Sequence, residues 1–325
     1  MTQHPDSKRW REVVARYQKP SVGRASWQVF NTLVPYVGAW VLMYFSVKVS
    51  WMLTLPLAVL AGGLLIRTFI LFHDCCHGSF FKSQTANDAL GQVTGLLTLT
   101  PYFHWRWEHS LHHATSSNLT RRGVGDIWTM TVKEYRESPI WKRLSYRIIR
   151  NPFTLFGVGP LVLFFFLHRF ARPSAPRRER LSVYFNTLGV SFMFAGLIWI
   201  FGIWEFLLIQ TTILWVGGAA GIWLFYVQHQ FEDTYWEEDD RWDFVSAAVL
   251  GSSYYKLPRI LQWFSGNIGF HHIHHLSARI PNYHLERCHR SEPLFQSVRA
   301  MTLQSSLKSL KLRLWDEDLR RLVGY

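Results

Sequence analysis

Residues 51–77 read WMLTLPLAVLAGGLLIRTFILFHDCCH. The first part, 51–72, is an almost unbroken apolar run. About 20 such residues span the hydrocarbon core of a bilayer as a helix. The run ends in His-Asp-Cys-Cys-His, so a membrane helix delivers two imidazoles to its own end. That junction sets the reading of the whole chain. Three further runs have spanning length: about 29–47, about 184–203 and about 206–228. The four spans form two hairpins with short outer turns that hold Lys48 and Glu205.

Composition agrees with a multi-pass membrane protein. Of 325 residues, 49% are hydrophobic and 16% aromatic. Mean hydropathy is +0.01, because very apolar runs alternate with very basic connectors. The formal charge of +13 lies beside the apolar runs: Lys8, Arg9, Arg11, Arg16, Lys19 and Arg24 before the first, and Arg169, Arg172, Arg177, Arg178 and Arg180 before the third. Such placement suits anionic lipid. With no base-reading motif or aromatic-basic RNA surface, nucleic acid is not an expected partner. Three cysteines, Cys75, Cys76 and Cys288, are too few for a disulfide framework. A polar, basic N-terminus without a cleavage pattern reads as no signal peptide.

Two shorter apolar stretches, 89–103 and 153–167, are interrupted by Gly, Thr or Pro and read as interfacial or re-entrant. Were 153–167 to cross alone, the Arg-rich segment 169–180 would lie outside, against the positive-inside rule. The expectation is therefore one all-α membrane domain, 1–325. Its N-terminus and a cap made of 73–183 and 229–325 face the cytosol, in a bacterial cytoplasmic membrane. Arg67, near the end of its span, is expected to snorkel to the surface or to meet a headgroup.

Fifteen histidines are present, and nine fall in four places. His73 and His77 form H-x-x-x-H. His109, His112 and His113 form H-x-x-H-H, as do His271, His274 and His275. His229 ends the fourth span. Residues three and four apart share a helix face. H-x-x-x-H thus aims two rings at one region, and H-x-x-H-H fans the third about 100° away. Neutral imidazole suits transition metals. Nine imidazoles exceed one ion's shell, so the count asks for two ions. On a helix continued through residue 77, neither Cys75 nor Cys76 shares the histidine face, and both read as packing residues. The acidic run Glu232, Asp233, Glu237, Glu238, Asp239, Asp240 and Asp243 has no accompanying Glu-x-x-His and reads as a solvated cap surface.

In order and context, HDCCH, HSLHH, VQHQFEDTYW and GNIGFHHIHHLSARIPNY resemble the membrane fatty acid desaturases, most closely the bacterial acyl-lipid group with Δ12 or Δ5 selectivity. The resemblance covers roughly 25–295. The first box carries Cys76 where the common form has Gly. What the resemblance implies is a histidine-bound, non-haem di-iron centre that uses O2 to desaturate a fatty acyl chain, on a glycerolipid in the closest members. The implied ligands are His73, His77, His109, His112, His113, His229, His271, His274 and His275, with His272 outside the pattern. Asp74 either orients a ligand from outside the metal shell or solvates a helix end. Asn267 either holds a metal-bound water or makes a cap or turn.

The chemistry of C–H cleavage agrees, since zinc has no redox chemistry. The chain has no haem-attachment, iron–sulfur or dinucleotide motif. Electrons are thus expected from an external donor: a ferredoxin first, or a cytochrome b5-type protein or flavodoxin. The competing readings are a lipid hydroxylase on the same fold and a metal transporter. Transporter sites lie near the bilayer midplane, whereas these histidines sit at span ends.

Overall fold

A computed structural model describes residues 9–325, the side chain of Arg9 excepted. Residues 1–8, Lys8 among them, lie outside the described residues. Four helices are long and apolar enough to cross a membrane: Val22–Ser46, Trp51–Cys76, Arg177–Phe201 and Ile203–His229. All four coincide with the expected spans, but two begin earlier. The first starts at Val22 because Ser21 caps it, its hydroxyl accepting from the Arg24 N–H at 3.4 Å. The third starts after Pro176 and carries its basic residues on its own first turns. Ser50 caps the second span, and Ser46 and Thr54 hydroxyls meet across the first hairpin at 2.9 Å. The second hairpin turns at Gly202, where φ is +87°.

Outward residues of the first and third spans are large and apolar: Phe30, Val34, Val41 and Phe45 on one, Phe185, Leu188, Phe192 and Trp199 on the other. They form a lipid-facing surface. Inward, Tyr36, Met43, Leu64, Leu65, Ile209 and Ile213 make one buried cluster. The second and fourth spans touch through glycine. A Cβ on Gly217 would sit 2.9 Å from the Gly62 carbonyl, and one on Gly62 would sit 2.8 Å from Val216 Cβ. Small residues are what let two membrane helices approach this closely.

The ambiguous stretches resolve into broken elements. Stretch 89–103 is the end of the helix Gln84–Leu97, then a turn through Leu99 at φ +53°, then the start of the helix Tyr102–Thr115. Stretch 153–167 is the second arm of a pair, Ile140–Ile149 and Phe153–Arg169, bent by 55°. That arm is partly wound with wide turns: the Gly159 N–H donates to the Thr154 carbonyl, one residue beyond the α pattern. Among the described residues, strands are confined to two small sheets, Met130–Thr131 with Leu314–Asp316 and Arg321–Val323, and Tyr254–Tyr255 with Ala300–Met301. The all-α class stands.

Two expectations need correction. Arg67 does not snorkel. It is buried, and its Nε donates to Thr32 Oγ1 at 3.0 Å while its other nitrogens donate to the Trp263 carbonyl and to Asn31 Oδ1. Its guanidinium lies 4.1 Å from the centre of the Trp263 ring. Those contacts engage all three of its nitrogens inside the protein and pin the first two spans to the cap. The acidic run is likewise not wholly solvated. Glu237 is buried and paired with Arg320 and Arg241, and Asp239 is paired with Arg121.

The glycine contact gives a stability test. A methyl at residue 217 has backbone, not a flexible side chain, against it, and overpacking costs about 1–3 kcal/mol. Gly217→Ala is expected to lower the Tm of the detergent-solubilised protein by several degrees. Gly196→Ala in the third span, where an added Cβ meets nothing within 4 Å, is expected to leave it unchanged or raise it. Thermal denaturation followed by size-exclusion recovery reads both.

Candidate metal centre

Each histidine box sits where an element ends or begins. The second span continues through the box, so His73 lies in its last turn and His77 is its C-cap, with the His77 N–H donating to the His73 carbonyl at 3.2 Å. The helix Tyr102–Thr115 carries His109, His112 and His113. His229 is the last residue of the fourth span. The short helix His271–Leu276 carries the last box.

The nine rings converge into two adjoining groups. In the first, ligand atoms of His73, His77, His109, His113 and His274 all lie within 4.8 Å of one another. In the second, His112, His229 and His275 do the same. His271 completes it, its Nε2 3.0 Å from that of His229 and 3.1 Å from that of His275. The rings of His113 and His275 stack at 4.3 Å, joining the groups.

Nitrogen spacing tests whether a metal fits. Within the first group, Nε2 atoms are 3.1 Å apart for His73 and His109, 3.1 Å for His109 and His113, and 3.0 Å for His113 and His274. Two nitrogens bound at right angles to one ion, each at about 2.1 Å, would stand about 3.0 Å apart. Hydrogen bonding alone does not account for the set. The Nε2 atoms of His109, His113 and His271 each face two others, while a neutral ring carries one N–H. The Nε2 atoms of His77 and His112 are buried with no hydrogen-bond partner among the described residues. An unpartnered buried nitrogen aimed among other imidazoles fits a metal-ligand position.

Electrostatics prepare the same outcome. Burial, reinforced by neighbouring imidazoles, holds His77, His109, His113, His271, His274 and His275 well below the usual histidine range. Neutral rings offer lone pairs. Several are also fixed from behind. Asp74 Oδ1 lies 3.3 Å from His73 Nδ1, while its Oδ2 accepts from the Asn282 backbone and side chain at 2.7 and 2.9 Å. His229 Nδ1 is 3.1 Å from the Gly251 carbonyl. Trp105 stacks on His109 at 4.2 Å.

The other named residues fall elsewhere. His272 lies outside both groups, its Nε2 3.0 Å from the Phe295 carbonyl and 3.1 Å from His289 Nδ1. Cys75 and Cys76 are buried beside Phe72, Phe80 and Tyr102, in neither group. Asn267 sits at a turn with φ +61°, its Oδ1 accepting from Gln262 and its Nδ2 donating to the Asn282 carbonyl. Of its two readings, the turn is the one these contacts support. One residue escaped sequence reading. Asp126 Oδ1 is 2.6 Å from His112 Nδ1. The available signal was an aspartate after two glycines in RRGVGD, shortly beyond the second box.

Comparison with known proteins agrees with this geometry. The profile of the family "Fatty acid desaturase" matches residues 49–300. A "Fatty acid desaturase" of Bacillus subtilis strain 168 is 49% identical over 312 residues, covering 96% of this chain and 89% of that protein. An "sn-1 oleoyl-lipid 12-desaturase" of Synechocystis is 28% identical over 271 residues, covering 79% of this chain and 71% of that protein. An "Omega-6 fatty acid desaturase, chloroplastic" of Brassica napus is 27% identical over 270 residues, covering 77% and 56%. With the family profile covering most of the chain and a relative at 49% identity, this protein belongs to the fatty acid desaturase family.

Proposed function

We propose that the two histidine groups hold an iron each, five ligands on one and four on the other, and that the enzyme puts a cis double bond into an acyl chain of a membrane glycerolipid in the Δ12 or omega-6 manner. The observation that carries it is the convergence of nine imidazoles, in two adjoining groups, at the ends of membrane-spanning helices. The names of the Synechocystis and Brassica relatives support the Δ12 selectivity. The iron supplies the redox chemistry that couples O2 reduction to the loss of two hydrogens from adjacent methylenes.

The chain's own part is positional. Neutral, buried imidazoles hold the metals without bringing net charge. The lipid-facing bundle presents the site to a substrate that never leaves the bilayer. O2 takes four electrons to become water. Two come with the hydrogens of the acyl chain, and two come from an external donor: a ferredoxin, or a cytochrome b5-type protein or flavodoxin. Two protons come from solvent. Arg169, Arg172, Arg177, Arg178 and Arg180 flank the third span at the end that carries the histidines. By the positive-inside rule, that end faces the cytosol of a bacterial cytoplasmic membrane. Residues 1–325 act as one domain. Asp74 orients His73.

Two measurements test this. In a host that makes only saturated and monounsaturated fatty acids, with a ferredoxin system supplied, methyl-ester profiling is expected to show a new diene with the native protein. Hydroxylated acids in its place would overturn the desaturation reading. His274→Ala is expected to lose the product by more than the roughly 100-fold that loss of an orienting partner costs. His272→Gln, outside both groups, is expected to keep it. Iron content should fall with the first substitution and not with the second.

A further inference from the structure

Among the described contacts, the four-histidine group is touched by one carboxylate, and it comes from a loop rather than a box. Asp126 closes the segment Arg121–Asp126. Two glycines set its path, Gly123 at φ +122° and Gly125 at φ +75°. The loop is seated against the helix of the second box: a Cβ on Gly125 would lie 3.1 Å from both the Glu108 carbonyl oxygen and His112 Cβ. A side chain at 125 would crowd that helix and strain the backbone, which here has φ +75°. Seated, Asp126 is nearly sealed from solvent, with 7% of its side chain exposed. Both of its oxygens are used. Oδ1 is 2.6 Å from His112 Nδ1, and Oδ2 accepts the Gly123 N–H at 3.1 Å.

We infer that Asp126 is a positioning residue for the four-histidine metal: it keeps the His112 proton on Nδ1 and so leaves the buried, unpartnered Nε2 as a ligand. A carboxylate behind a ligating histidine fixes the tautomer and strengthens the donor. The two groups do not depend on such help equally. Five imidazoles tolerate one poorly held ring. Four do not, because losing His112 leaves three. Within that group, among the described residues, His229 has a backbone carbonyl behind it and His271 Nδ1 has no partner. The Asp126 contact is therefore the strongest support the four-histidine group has, and removing it should release one metal selectively. This inference rests on the di-iron reading above.

The test counts metal rather than product. Iron-loaded protein in detergent is challenged with graded chelator, and retained iron is measured by mass spectrometry, with Mössbauer spectra distinguishing the sites. Asp126→Asn nearly keeps the shape but has one acceptor oxygen for two donors. If its amide NH2 faces His112, Nδ1 must accept and the proton moves to Nε2. Asp126→Asn is expected to lose one iron at about 10–100-fold lower chelator concentration than the native protein, with the other site's spectrum unchanged. His112→Ala should release the same iron. The double substitution should do no more than His112→Ala alone, because the aspartate acts through that ring.

Native-like retention by Asp126→Asn would overturn the inference. So would a loss that adds to that of His112→Ala, since it would mark a structural role. Native protein that never holds two irons would instead sink the di-iron reading, and that result appears before any variant is made. Should Asp126→Asn not fold, Asp126→Ser carries the same expectations: it keeps an acceptor for the Gly123 N–H but is too short to reach His112.

Discussion

Nine imidazoles crowded nitrogen to nitrogen, seven buried and two half-buried, are the constraint on which this structure turns. Without a cation, several ring nitrogens face one another at 3.0–3.1 Å with too few protons to go round. Buried polar atoms left in that state cost about 1–3 kcal/mol each. Metal binding at the proposed sites would remove the cost, which would couple folding to metal loading. The rest of the fold keeps four distant stretches of chain at one point against that crowding. Rigid spans do part of it, because His73 and His229 ride on helices that are continuous through the membrane. The Gly62–Gly217 approach sets those two helices at a fixed separation. Arg67 locks the cap to the first two spans from inside.

Much of this was legible because the bilayer and the metal both impose simple periods. A span needs a length, and its four occurrences stand out from very basic connectors. A ligand box needs spacings of three and four, and these recur twice as H-x-x-H-H. What escaped depends on contacts that local spacing does not record. The first span's start at Val22 is decided by the Ser21 cap, which hydropathy ignores. The bend between Ile149 and Phe153 follows from interruptions whose geometric outcome no window average gives. Arg67 looked like a residue in search of water because its partners, Thr32 and the Trp263 carbonyl, lie far away in sequence. Glu237 looked solvated for the same reason, with Arg320 arriving from the other end of the chain.

Asp126 shows that limit at the site itself. Nothing in its distance from the second box marks it as a partner of His112, since no regular element joins them. Only the seated loop does, and the seat depends on Gly125 having no side chain. The acidic run 232–243, which looks more like a metal ligand set by composition, spends its charges on arginines instead. Density of carboxylates was the weaker signal, and one aspartate following two glycines was the stronger.

Placing carboxylates behind the histidines rather than on the metals has an electrostatic consequence. In the proposed di-iron centre, an all-imidazole shell would leave the full charge of two metal ions inside a buried site, where an uncompensated charge is expensive. Asp74 and Asp126 supply negative charge one ring away, each against a different group. At that remove they would offset the ions through the imidazoles without occupying a coordination position. The two aspartates are not equivalent, however. Asp74 shares its charge with the Asn282 amides and stands 3.3 Å from its histidine, whereas Asp126 stands at 2.6 Å and shares only with one loop N–H. The group with fewer histidines thus has the closer counter-charge, an arrangement that would bring two unequal histidine shells nearer to holding their proposed metals equally well.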